Sequence, residues 1–372
     1  MVAPNVDTLY SIAHLDLGRG PVVLSHPAMG KRYFVFELLD PYTNVIGYVG
    51  ERTTGSKAGR FAITWTRHPG KQVAGARVVR SRYRRVWVIG RTLAGGKADR
   101  AKAYALMRRY RLTPPGAAKR HRCTKRKPTK ARTPTGLAFL DRLGAAMADN
   151  PPPKRDRPLL ARLAAIGVGP GLHPERAGLP ADVLAAVRAG VVAEAKALPD
   201  AARGKVLTQA LAGHGWATLR QGIGRYGTHY AGRAEIAVVG LGANTADEAV
   251  YPTALADAGG QLLTGARRYR LTFAKGKLPP ARAFWSLTMY DLAGFLVPNA
   301  GNRYAVGSSH PPLVHRKDGS VVVALQHTRP TEKGVNWLPA PAGSFRLSLR
   351  LYWPWASVLD GRWNPPPIQH VG

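Results

Sequence analysis

Carboxylates are scarce in this chain, 21 Asp and Glu against 55 Lys and Arg, so the places they occupy carry information. Asp7 opens Asp7-Thr-Leu-Tyr-Ser11, Asp40 opens Asp40-Pro-Tyr-Thr-Asn44, and Asp291 follows Tyr290. Each lies beside a tyrosine or hydroxyl residue in a segment that reads as a strand end. Two acids flanking one bond is the arrangement glycoside hydrolysis needs, their separation setting the stereochemical outcome. Asp40 and Asp291 are therefore the candidates for acid or base. The structural alternative is that Asp and Asn side chains bond to turn backbone while the tyrosines anchor corners. Five tryptophans, Trp285, Trp337, Trp353, Trp355 and Trp363, gather towards the end. Exposed indoles stack on sugar rings, whereas buried ones are core.

Other motifs are weaker. Gly222-x-Gly224-x-x-Gly227 is followed about 20 residues on by Asp247 and Glu248, as in a dinucleotide fingerprint. That fingerprint works where a strand ends in a tight turn and a helix points its N-terminus at pyrophosphate, but the residues before Gly222 read as helix. No Gly-x-Ser-x-Gly elbow, P-loop or His-Glu-x-x-His occurs. His310 and His315 are separated by Pro311-Pro312, which keeps a helix from presenting both on one face, and no metal site is expected. His214 and His229 read as packed or solvated. Cys123, the single cysteine, excludes an intramolecular disulfide and lies in a basic loop. No cofactor is implied.

The elements that must position these residues fall into three stretches. From Val22 to Ile89 short apolar runs alternate with turn residues, as at Arg32–Leu39, Phe61–Trp65 and Val86–Ile89, which predicts an all-β module. Lys31 to Leu39 is apolar on both faces, as expected of a strand covered on two sides. The period then becomes helical over Lys97–Tyr110 and stops at Pro114-Pro115. Lys119 to Arg132 has almost no apolar content and reads as a disordered or solvated insertion. After the loop Asn150–Asp156, helices are expected over Pro180–Leu198 and from Asp200 to about Leu219, with Thr245-Ala-Asp-Glu248 capping another. From Arg268 the strand pattern returns at Phe284–Tyr290 and Val321–Gln326. Phe345, Leu347, Leu349, Leu351 and Trp353 alternate with Arg346, Ser348, Arg350 and Tyr352.

With 372 residues, 45% of them apolar, there is ample material for more than one core. No apolar run is long enough to span a membrane, and the first 20 residues lack the charged start and apolar stretch of a signal peptide. The net charge of +34 is uneven: residues 52–140 hold 25 Lys and Arg against Asp99 alone, a net +24. Such density attracts nucleic acid, anionic lipid or acidic glycan. Its bland counterpart is the Ala-, Arg-, Gly- and Pro-rich drift of high-GC genomes.

Longer strings point to a family. Ala3-Pro-Asn-Val-Asp-Thr-Leu-Tyr-Ser11, Leu15-Asp-Leu17, Pro21-Val-Val-Leu24, Arg32-Tyr33, Asp40–Val45 and Arg52-Thr-Thr-Gly55 resemble the domain of unknown function 1254. Ala243-Asn244, Ala249-Val-Tyr-Pro252, Phe284–Asp291, Asn302-Arg-Tyr304, Asn336–Pro341 and Phe345–Trp353 resemble the domain of unknown function 1214. The resemblance leaves out Leu112–Pro158. It implies a jelly-roll-like architecture and carries no catalytic residue over. It also implies that a segment precedes Asn5, since members often follow a signal or lipoprotein sequence.

The expected fold is α+β and multi-domain, two antiparallel β-sandwich or jelly-roll-like modules joined by a helical middle segment. The divisions are 1–95, 96–258 with a basic insertion at about 112–134, and 259–372. The leading functional expectation is a ligand-binding or carbohydrate-active cell-envelope protein with its site between the β modules. Asp7, Tyr10, Asp40, Tyr42, Asn44, Arg52, Thr53, Tyr290, Asn302, Arg303, Tyr304 and Trp337 are its candidate binding residues. The alternatives are a hydrolase using Asp40 or Asp291, and a basic adaptor binding nucleic acid or anionic surfaces through residues 52–140. Expected partners are a small molecule or glycan and an anionic polymer or lipid surface. The expected location is the cell envelope if the N-terminus is incomplete, otherwise the cytoplasm.

Overall fold

The computed structural model describes residues 4–114, 135–309 and 312–372. Most of the basic insertion, with Cys123, lies outside the described residues, as does His310. The first module contains β1 (Thr8–Asp16), β2 (Val22–His26), β3 (Phe34–Leu39), β4 (Val45–Gly50), the single turn α1 (Glu51–Thr54), β5 (Gly59–Trp65), β6 (Arg77–Ser81), β7 (Arg85–Leu93), α2 (Lys97–Met107) and β8 (Arg111–Thr113). The strands form two sheets, ordered β1-β7-β3-β4 and β6-β5-β2-β8. Leu112 and Thr113, expected in the insertion, instead pair with Leu24 and Val23 of β2.

Side chains alternate across a strand, so β3 serves two neighbours. Phe34, Phe36 and Leu38 join Val86 and Val88 of β7 against Leu24, Phe61 and Ile63 of the opposite sheet, which makes the sandwich core. Val35, Glu37 and Leu39 point the other way and are equally buried, so the strand is covered on both sides as its composition requires.

The middle segment supplies α3 (Leu137–Asp149), α4 (Arg157–Ala164), α5 (Ala181–Ala212), β9 (Trp216–Ala217), α6 (Tyr230–Gly240), β10 (Ala249–Val250) and β11 (Thr253–Ala254). Three expectations fail here. The helices read as ending at Leu198 and restarting at Asp200 are one 32-residue helix, with Pro199 inside it. The carbonyl that Pro199 leaves unpaired, that of Ala195, lies on an exposed stretch open to solvent. Thr245–Glu248 starts no helix: one turn closes with the Glu248 and Ala249 amides donating to the Thr245 carbonyl, and the chain passes into β10. The residues before Gly222 also differ from the helix expected there, being β9 and a loop. Gly224 has φ +68°, and a Cβ there would stand 2.7 Å from Val45 Cγ2. These glycines let the loop press on β4, where the Val45 amide donates to the Gly224 carbonyl at 2.8 Å.

The second module contains β12 (Arg268–Phe273), β13 (Ala281–Asp291), β14 (Ala305–Gly307), β15 (Val321–Gln326), β16 (Asn336–Pro339), β17 (Phe345–Pro354), the turn α7 (Ala356–Leu359) and β18 (Gln369–Val371). One sheet runs β16-β15-β12-β18, and the other β14-β13-β17-β11-β9 with β10 also paired to β17. Leu347, Leu349 and Leu351 pack with Leu287 and Met289 against Leu271, Phe273 and Val323. Trp285 belongs to this core, while Trp355 is exposed. Pairing is antiparallel except for β5 with β6 and β15 with β16. The result is an α+β, multi-domain chain of two sheet-rich modules with a helical segment between them. Among the described residues no helix is long and apolar enough to cross a membrane.

Candidate functional site

The two sandwiches meet through one sheet of each. Tyr33 and Val35 on the first module pack against Ala249, Phe284 and Tyr352 on the second. Polar side chains fasten the contact. Glu248, 1% exposed, accepts from the Tyr33 hydroxyl at 2.7 Å and from Arg52 Nε at 2.6 Å. Arg52 also pairs with Asp247 at 3.0 Å, and the Thr245 amide donates to Tyr48 Oη at 2.8 Å.

Beside these contacts the inner sheets part around a cavity of about 600 Å³. Its first wall follows from strand register. Tyr10 stands opposite Arg91 and Ile12 opposite Ile89, so all four project from one face with Trp87. Its second wall is the polar face of β17, where the two-residue period brings Arg346, Ser348, Arg350 and Tyr352 into line. Apolar residues of α5 and α6, Val206, Ile236 and Val239 among them, close the remaining side. The turn after α6 approaches closely because Gly242 has φ +74° and no side chain; a Cβ there would lie 2.5 Å from Ile89 Cδ1. Among the described residues the lining contains three arginines and no Asp or Glu.

The three arginines differ in their commitments. Arg91, buried, donates to Glu37 Oε2 at 2.7 Å, Asn244 Oδ1 at 3.1 Å and the Gly242 carbonyl at 2.6 Å. Burial pushes the Glu37 carboxyl upwards, and Arg91 only partly opposes that rise. Arg350 donates to Thr288 Oγ1 at 2.8 Å and Tyr290 Oη at 2.6 Å, and Asp7 adds a favourable field. Arg346 is only partly buried, and among the described residues its guanidinium makes no hydrogen bond or ion pair. Its guanidinium carbon lies 5.6 Å from the centre of the Tyr290 ring. Burial lowers its pKa, as does the like charge of Arg350, while Tyr290 and the carboxylate of Asp291 work the other way. Burial raises Tyr251 to about 12 and pushes Tyr352 well upwards, so both stay neutral, and the Tyr251 hydroxyl accepts from Asn244 Nδ2 at 2.7 Å.

Of the residues expected to bind a ligand, Tyr10 lines this cavity. Asp7 and Tyr290 stand behind it: Asp7 accepts from Ser286 Oγ at 2.6 Å, and Tyr290 donates to the Pro4 carbonyl at 2.7 Å. Arg52 belongs to the fastening, and Thr53 Oγ1 donates to the Tyr48 carbonyl. Asp40 binds its own turn, accepting from the Tyr42 and Asn44 amides at 2.8 and 2.9 Å and from Asn44 Nδ2. The Tyr42 hydroxyl donates to the Asn150 carbonyl. Asp291 likewise accepts from the Phe295 amide in a turn. Asn302, Arg303, Tyr304 and Trp337 form a separate group. Tyr304 Oη donates to Asn302 Oδ1, Arg303 Nη1 to the Trp337 carbonyl, and Trp337 Nε1 to the Gln326 carbonyl. Neither Asp40 nor Asp291 nor any member of this group is in the cavity wall. Sequence reading missed Arg91, Tyr251, Arg346, Ser348, Arg350 and Tyr352. The polar half of the β17 alternation was the signal for the last four.

Comparison with known proteins agrees with this two-module build. The model described as "Protein of unknown function (DUF1254)" matches residues 1–114, and "Protein of unknown function (DUF1214)" matches residues 248–356. No match was found among curated proteins. The crystal structure of the VPA0106 protein from Vibrio parahaemolyticus is similar with a TM-score of 0.73 at 23% identity, over 99% of this chain and 90% of that one. An uncharacterized protein from Burkholderia cenocepacia is similar with a TM-score of 0.50 at 14% identity, over 99% and 77%. At these identities the likeness is one of fold. The chain carries both matched modules in order and belongs to the two-module family in which domain of unknown function 1254 precedes domain of unknown function 1214.

Proposed function

We propose that the chain is a ligand-binding protein, that its site is the cavity between the two β modules, and that its ligand is a small molecule with a mainly apolar body. The observation that carries this is the wall itself: Ile, Val, Leu and Trp side chains surround most of about 600 Å³, with a few convergent tyrosines and arginines on the strands. That combination, mostly apolar with a few placed polar groups, is what small-molecule sites have in common. The setting we propose is the cell envelope, on the strength of the family resemblance.

The test is binding of a neutral apolar fluorophore such as N-phenyl-1-naphthylamine to the wild type and to Ala237→Trp, which fills the α6 side of the cavity. Saturable binding that the variant loses, with its melting temperature unchanged, supports the proposal. Equal binding to both proteins overturns it.

A glycan is the second reading, favoured by Tyr10, Tyr251 and Tyr352 in the wall, against which a sugar ring can stack. A hydrolase built on Asp40 or Asp291 draws less support, since both hold turns and glycoside cleavage needs its acids beside the bond. The basic-adaptor reading rests on Arg60, Arg77, Arg80 and Arg111, exposed on the outer sheet of the first module. Affinity for a nucleic acid that does not fall with added salt would reject it.

A further inference from the structure

Resting on the cavity as the ligand site, we infer that the ligand is an apolar monoanion, and that its head group, a carboxylate in the first instance, is received by Arg346 with Ser348. Charge matching carries the argument. Arg91 is neutralised by Glu37, and Arg350 is held by Thr288 and Tyr290 with Asp7 in its field. Arg346 is the lining cation whose guanidinium makes no hydrogen bond or ion pair among the described residues, Asp291 reaching it only as a field. A charge drawn partly out of water is costly unless it is paired, and the pair is worth more as the site becomes drier. Among the described residues no lining carboxylate competes for it.

The geometry supplies a second donor. Ser348 lies two residues along the same face of β17, 7% exposed, and among the described residues its hydroxyl makes no hydrogen bond. A planar carboxylate between the two can accept from the guanidinium fork and from the hydroxyl, the pairing in which arginine is strongest. One uncommitted cation matches one negative charge. A phosphate monoester would bring a second charge with no partner.

The experiment compares three ligands of one tail, decanoic acid, 1-decanol and decyl phosphate, by calorimetric titration of the full chain. The proteins are the wild type, Arg346→Met, Arg346→Gln and the control Arg303→Met. Decanoate is expected to bind the wild type and the control at least about tenfold more tightly than decanol. In both Arg346 variants the preference should disappear while decanol affinity stays within about twofold. Equal binding of acid and alcohol to the wild type, or a preference that survives in both Arg346 variants, overturns the inference and leaves the cavity reading standing. Tighter binding of decyl phosphate than of decanoate overturns the monoanion. If none of the three ligands nor the neutral fluorophore binds, the cavity reading falls and the inference with it.

Discussion

Arg91→Leu tests how the inner sheet of the first module is held. The substitution leaves Glu37, whose side chain is 0% exposed, without the arginine that pairs with it. It also takes a donor each from Asn244 Oδ1 and the Gly242 carbonyl. Breaking a buried ion pair from one side costs about 3–5 kcal/mol, most of it the stranded charge. Unfolding entropy of about 2.1 cal/mol/K per residue over this chain is about 0.8 kcal/mol/K, so a loss of about 4 kcal/mol lowers Tm by about 5 °C. The loss depends on pH. Burial already raises Glu37 above the usual 4.5, and Arg91 restrains the rise. Without Arg91 the folded-state value climbs further. A carboxyl raised in the folded state contributes stability that is whole below its unfolded pKa and is lost as pH rises through the folded one. The deficit of the variant is therefore largest at about pH 8 and shrinks towards about pH 5, where Glu37 takes up a proton instead of remaining an unpaired anion. Calorimetric melting of wild type and variant across that range measures it. A gap that is constant with pH, or that widens on acidification, refutes the reasoning.

Glu248→Gln should weaken the fastening between the modules by about 2–3 kcal/mol, less than a full buried pair because Arg52 keeps Asp247. Urea unfolding should show the midpoint falling and the transition broadening towards two steps; an unchanged single transition counts against Glu248 as the fastener. Asp40→Ala frees two turn amides and should cost about 1–2 kcal/mol of stability while fluorophore affinity in the cavity stays unchanged. A more than about tenfold loss of affinity at unaltered Tm would give Asp40 a role in binding after all.

The strands of both modules were legible because their side-chain period is local: Val321–Gln326 and the alternation from Phe345 are where the pattern puts them. The middle segment was less so. Pro199 ordinarily ends a helix, yet α5 runs through it because the surrounding turn is exposed. Thr245 to Glu248 has the residues of a helix start, but Glu248 is claimed by Tyr33, 215 positions away, a contact no local pattern announces. The site divided in the same manner. Tyr10 was found through its polar neighbourhood. Arg346 and Arg350 were read as one face of a strand, and only the meeting of two sheets turns that face from an outer surface into a wall. The Asp40 turn satisfies its carboxylate locally, as its Asp-Pro-Tyr-Thr-Asn composition also allows.

The position of β17 bears on how the chain comes into being. It is the last long strand in sequence but an interior one in its sheet, paired with β13 on one side and with β10 and β11 on the other. The first sandwich has all its own strands once Thr113 has left the ribosome, while its inner face, with Val35, Glu37 and Arg91, still waits for its cover. Until Phe345–Pro354 has been synthesised, the second inner sheet has no middle and the cavity no second wall. Ribosome-bound chains that stop short of Phe345 should thus expose apolar and unpaired sheet surface, the species on which chaperones act.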